Sequence, residues 1–230
     1  MELKNSIYAL LNSSEKKLKE IQSRYNDNHH EIDSELEITI KHFLEDLRSS
    51  LDYLADQIFA ENCEPNDQIK KYFPLYTKNE HAFKSHIGKH LPKLDKLNNT
   101  VYLKLEKMQY YNDTKHREWM KELRIVNEYK HEDFVEQHRH SKEVVEVGAK
   151  GKRPIFRLEP GASLVNLRLD GVPTGHLHVG SNLETPKVPG LEINKIKIQE
   201  NYFTKLDKPV IRSLTRMLYG VKNIMTEFEN

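Results

Sequence analysis

The apolar positions of the chain follow two rhythms, one helical and one strand-like, and the change between them comes late. Leu3, Ile7, Leu10, Leu18, Ile21 and Tyr25 recur at near-heptad spacing and predict a helix over about residues 2–27, broken by Asp27-Asn28. Leu36, Ile40, Phe43, Leu47, Leu51, Leu54 and Ile58 predict a second helix, which ends before Cys63-Glu64-Pro65-Asn66. Residues 64–80 read as a loop carrying the apolar run KYFPLY. Short helices are expected near 80–89 and 93–112, and a longer one over about 115–140. Helices joined in this way, by short connections, pack as an up-down bundle.

From Val144 to Phe203 the pattern shifts. Most of the glycines and prolines fall here, and the runs LVNLRL (164–169), HLHV (176–179) and EINKIKI (192–198) alternate at strand period. They predict a small antiparallel sheet with LDGVPTG as a turn. Helical spacing returns over 208–228 with Val210, Leu214, Met217, Val221, Ile224 and Phe228 on one face. The expected architecture is mainly α. It comprises a helical bundle over 1–143, a small antiparallel β insertion over 144–206, and a C-terminal helix over 207–230 that returns to the bundle.

The stretch WMKELRIVNEYKHEDFVEQH (119–138) raises a specific question of burial. At roughly 100° per residue, with Arg124 at zero, Asn127 lies near 300° and His131 near 340°. Met120, Leu123, Phe134 and Val135 fall at about 320°, 260°, 280° and 20° on the same wheel. These positions put three polar side chains in the middle of a stripe expected to be buried. An unpaired charge taken out of water costs several kcal/mol. The placement therefore calls for a structural pairing, a partner chain or a site.

Composition narrows the classes. Charged residues make up 31% of the chain and hydrophobic ones 37%, enough for a core beneath a solvated surface. Thirty-six basic against 35 acidic residues leave a formal charge of +1, which excludes a general nucleic-acid coat, so any RNA contact must be local. Cys63 stands alone, so no intramolecular disulfide forms and a reducing compartment is expected. The first twenty residues alternate charged and apolar positions without a secretory apolar run, and no uncharged segment reaches membrane-spanning length. A cytoplasmic location with no membrane partner follows as the expectation.

Two resemblances then suggest a function. Arg124 and His131, with six residues between them, resemble the R-x(4–6)-H signature of the HEPN superfamily. Those are helical-bundle proteins, many of them metal-independent endoribonucleases of toxin–antitoxin, phage-defence and CRISPR systems. Separately, LRSSLDYLA (47–55), YFPLY (72–76), QYY (109–111) and IVNEYKHEDF (125–134) resemble a group of uncharacterised bacterial and prophage proteins. That group carries an RSALDHLA-like helix, an FPI segment, a QPY segment and an N-x-x-DKHR-like helix, in this order. Tyr110 stands where the group has proline, Tyr129 and Glu132 replace the Asp and Arg of DKHR, and Ile125 follows Arg124 where HEPN enzymes usually carry a polar residue.

The first resemblance implies a HEPN-like bundle with Arg124 and His131 as catalytic residues and Asn127 assisting. Arg48, Asp52 and Lys130 are expected in support. It further implies RNA as substrate, a homodimer in which two such helices form one cleft, an antitoxin or other protein as a further partner, and neither cofactor nor metal. Metal-free RNA cleavage requires a deprotonated 2′-OH, a stabilised phosphorane and a protonated leaving oxygen. His131 suits the acid–base role because its ordinary pKa is near neutrality, and Arg124 can hold a phosphate bidentately. The competing reading is an internal network in which His131 and Asn127 bond to Arg48, Asp52 or backbone, which leaves a non-catalytic interaction module.

The remaining candidates carry less. Arg48 and Asp52 are spaced i,i+4 and read first as an intrahelical ion pair worth a few tenths of a kcal/mol. The pairs His86/His90 and His176/His178 could each offer a metal two ligands but lack an obvious third, so surface histidines are the better reading. GAKGKRP (148–154) lacks the spacing of a phosphate-binding loop; it is a solvated linker or, by its basic character, a loop that meets nucleic acid.

Overall fold

The computed structural model describes residues 2–26, 33–112, 114–129, 136–169, 172–183, 185, 188 and 190–229. The chain divides into two compact units, residues 1–138 with 202–230 and residues 139–201.

The first unit is built on two long helices, α1 (Glu2–Asn26) and α2 (Ser34–Asn62). Asp33 caps α2 by accepting from the Leu36 N–H at 2.8 Å. Both oxygens of the same carboxylate accept from Arg24 Nη2, at 2.9 and 2.7 Å, in the last turn of α1. One acidic residue thus starts one helix and ties down the end of another. Ile7, Leu11, Leu18 and Ile21 of α1 are buried with Leu36, Ile40, Leu44, Leu47 and Leu51 of α2. Beyond an extended strap over 64–79 come α3 (Glu80–His90), α4 (Leu94–Leu97) and α5 (Asn99–Lys107), with Asn79 and Asn98 as side-chain caps of α3 and α5. Next is α6 (Thr114–Leu123), then a turn at Arg124, then the four-residue α7 (Ile125–Glu128). The C-terminal α8 (Val210–Glu229) packs on α1, α2 and α6. Its Arg216 donates to Glu122 of α6 at 2.7 Å.

Strands occupy much of the region between. β1 (Gln137–Ala149), β2 (Phe156–Leu158), β5 (Leu191–Phe203) and β6 (Lys208–Pro209) form a curled four-stranded antiparallel sheet in the order β2-β1-β5-β6. β3 (Ser163–Leu169) and β4 (Val172–His178) form a separate two-stranded sheet with irregular register around Leu167. Within the second unit Val145, Val147, Leu158, Leu177, Val179, Leu183 and Val188 make a small core of their own.

These strands correct the expected fold class. The chain is about 54% helical with a four-stranded curled sheet and a second two-stranded one, which is not the mainly α, HEPN-like bundle with a small insertion. The long helix expected over 115–140 ends by Glu128, and β1 is already under way at Gln137. VPTG, expected in a turn, opens β4. The misreading has a physical source: β1 opens as QHRHSKE, polar on both faces, and cross-strand pairing rather than an apolar alternation makes it a strand.

Candidate functional site

Three of the segments that carry the second resemblance, 47–55, 72–76 and 109–111, meet on one stretch of backbone, Tyr72–Thr77. From α2, Arg48 forks onto Asp52, with Nε to Oδ2 at 3.0 Å and Nη2 to Oδ1 at 2.8 Å. Asp52 Oδ1 also accepts from the Phe73 N–H at 3.1 Å, and Arg48 Nη2 reaches the Phe73 carbonyl at 3.5 Å. The pair is therefore more than an intrahelical bridge, since it holds the strap as an additional strand of backbone would. From the end of α5, the fully buried Gln109 donates to the Pro74 and Leu105 carbonyls at 2.9 and 3.1 Å and accepts from Thr77 Oγ1 at 2.9 Å. Both amide hydrogens and the amide oxygen are thus engaged with the strap or with its own helix.

α3 contributes two more fasteners. His86 Nε2 donates to the Tyr72 carbonyl at 2.8 Å, and His90 Nδ1 to the Lys70 carbonyl. Burial pushes His86 down to about 4, so the ring is neutral near pH 7. The two rings lie 4.5 Å apart, but each has a nitrogen engaged with a carbonyl, so they act as tethers. His176 and His178, the other pair, are exposed and bond to the Asn166 N–H and to Ser163 Oγ.

On the solvent side of the strap the half-buried Tyr76 meets the Tyr110 ring at 4.8 Å between centroids, and the Arg124 guanidinium lies 5.0 Å over the Tyr76 ring. Arg124 is exposed and pairs with no carboxylate among the described residues. Asn127, in the next turn, is exposed as well. This corrects the expected burial of these polar side chains. The buried side of α6 and α7 is formed by Trp119, Met120, Leu123, Ile125, Val126 and Tyr129. On the same wheel Trp119, Val126, Tyr129 and Ile125 fall at about 220°, 200°, 140° and 100°. The buried arc is centred far from Arg124, and a dimer seam is not needed to explain its charge. His131 and Lys130 lie outside the described residues. Tyr76 and Tyr110 stand in the quoted motifs, but their pairing as half-buried rings, with Arg124 over Tyr76, carries no sequence signal of its own.

Among the described residues no helix is long and apolar enough to cross a membrane. No protein-family model matches the chain, and no curated protein or solved structure matches it significantly.

Proposed function

We propose that the chain binds single-stranded RNA at the surface formed by Tyr76, Tyr110, Arg124 and Asn127, and cleaves it without metal through Arg124 and His131. The observation that carries this reading is Arg124 itself, an exposed guanidinium resting on one tyrosine beside a second. A cation with aromatic faces beside it suits a strand whose phosphates are anionic and whose bases stack. Asn127 supplies a hydrogen-bonding group one turn further on. Cleavage rests on the Arg124–His131 spacing, with His131 as acid–base and Arg124 on the phosphorane. A homodimer is part of the catalytic half of the reading, with each copy contributing Arg124 and His131 to a shared cleft.

The test is a 5′-labelled single-stranded RNA, about 20 nucleotides long, incubated with the pure protein in EDTA. Anisotropy reports binding, a denaturing gel reports cleavage, and sedimentation of the same sample reports the assembly. Binding that is lost in Arg124→Ala and cleavage that is lost in His131→Ala support the two halves. Undiminished binding by a folded Arg124→Ala protein removes the Arg124 surface as the RNA site, and absence of RNA binding by wild type puts the interaction-module reading in its place. Binding without cleavage keeps the surface and removes the nuclease.

A further inference from the structure

We infer that the loop joining β1 to β2 is a second contact for single-stranded RNA, separate in sequence from the Arg124 surface and carried by the other compact unit. It rests on the RNA reading above only for the identity of the ligand. The second unit, residues 139–201, carries ten Lys and Arg against seven Asp and Glu. Several of those cations are engaged. Lys142 pairs with Glu159 and Glu200 at 2.8 and 3.2 Å, Arg157 pairs with Glu146 at 2.8 Å, and Arg139 bonds to Asn201 and Gln199. Lys150, Lys152 and Arg153 are exposed and form no salt bridge among the described residues. Arg168, Lys195 and Lys197 are exposed as well, but only Lys150, Lys152 and Arg153 fall within four consecutive residues, at one end of the sheet.

The loop is built rather than slack. A Cβ on Gly148 would meet Pro154 Cα at 3.0 Å and the Arg153 carbonyl at 3.1 Å, so the chain after the turn lies tightly against the strand before it. Gly151 takes φ +75°, open to glycine at little cost. The Lys150 N–H donates to the Gly190 carbonyl at 3.1 Å, the Gly151 N–H to Glu192 at 3.1 Å and the Lys152 N–H to the Ala149 carbonyl at 2.9 Å. The Glu192 carboxylate accepts from the Gly151 N–H and from Asn194 Nδ2, and the Lys150 charge also acts on it. Beyond the turn Ile155 is 66% exposed and Phe156 44% exposed, at the start of β2 on the edge of the sheet. Three exposed cations on a hydrogen-bonded turn, followed by an exposed aromatic ring, combine the two elements that bind a single strand without sequence preference: charge for phosphates and a face for a base.

The experiment uses the full chain and a 20-nucleotide poly(U) RNA, with anisotropy read across a KCl series. Wild type is compared with Lys150→Gln/Lys152→Gln/Arg153→Gln, with Phe156→Leu and with Arg124→Ala, each checked for folding by circular dichroism. Loss of three phosphate contacts should weaken binding by about 10- to 100-fold at low salt and flatten the slope of log Kd against log [KCl] by about 2. Phe156→Leu keeps the apolar volume and loses the ring; it should cost about 5-fold or more with the slope unchanged. If Arg124→Ala weakens binding and the triple variant does not, the loop inference is overturned and the Arg124 surface stands. The reverse pattern upholds the loop and removes the Arg124 surface. Absence of RNA binding by wild type overturns both. So does capture of the chain by phosphatidylserine vesicles through the same three cations with no RNA binding, which would reassign the loop to an anionic membrane surface.

Discussion

Trp119 of α6 lies flat against Gly220 of α8, so close that a Cβ on the glycine would fall within 2.6 Å of Trp119 Cγ and closer still to Cδ2 and Cε2. The indole is only 2% exposed, and its Nε1 donates to His116 Nδ1 at 3.1 Å, which fixes the ring plane. A residue with no side chain is what lets the two helices approach this closely.

Gly220→Ala therefore pits two effects against each other. Alanine favours a helix over glycine by about 1 kcal/mol. Forcing a methyl into a packed ring costs about 1–3 kcal/mol. The clash should win, lowering the urea midpoint, and Gly220→Ala combined with Trp119→Leu should be less destabilised than the two single changes added together. A stabilised Gly220→Ala protein would show that the helices are free to separate there.

Asp52 holds both the Arg48 fork and the Phe73 N–H. Removing it in Asp52→Ala leaves a largely buried guanidinium and a backbone donor without their acceptor, at about 1–3 kcal/mol. The expected readout is a lower melting temperature together with new protease cleavage within 64–80. Arg48→Ala and Asp52→Ala should also be non-additive, because each disrupts the same clamp. Additive losses would mean that the two residues support different parts of the fold.

The His86 tether predicts an acid sensitivity. Its folded value, about 4, lies below the ordinary 6.5 because of burial. An unfolded chain takes up a proton between those values that the folded chain refuses, so stability falls as pH drops from 6.5 toward 4. The full effect is on the order of 3 kcal/mol. His86→Gln keeps an amide donor for the Tyr72 carbonyl and does not titrate. It should remove that part of the pH dependence while carboxylate contributions persist in both proteins. Parallel stability profiles for wild type and His86→Gln from pH 7 to 4 would exclude this ring as the source.

Arg124 should separate binding from folding. It is exposed, and the Tyr76 ring beneath it contributes about 0.5–1 kcal/mol at a surface site. Arg124→Ala should therefore melt close to wild type while RNA affinity drops and its salt dependence weakens. A fall in melting temperature of the size seen for core truncations would reassign Arg124 to the structure.

The apolar periods of α1, α2 and α8 were legible in the sequence because each of these helices carries an apolar stripe along its length, with Leu36 and Ile58 at the two ends of one and Val210 and Ile224 on another. The motif segments were legible too, as segments, though the convergence of three of them on Tyr72–Thr77 was not. What each residue in them does was decided by contacts distant along the chain: Asp52 with the backbone of Phe73, Gln109 with Pro74, Arg124 with Tyr76. The same holds for β1, whose polar opening becomes a strand by pairing in a sheet that also includes β5, more than forty residues later in sequence. Local periodicity records which face of an element is apolar. It could not settle α6 and α7, where apolar residues run from Ile125 round to Met120 over more than half the circumference, so either edge could be taken as the centre. Only packing against the helices around them, α8 for α6 and α2 for α7, chose the buried side and left Arg124 facing solvent.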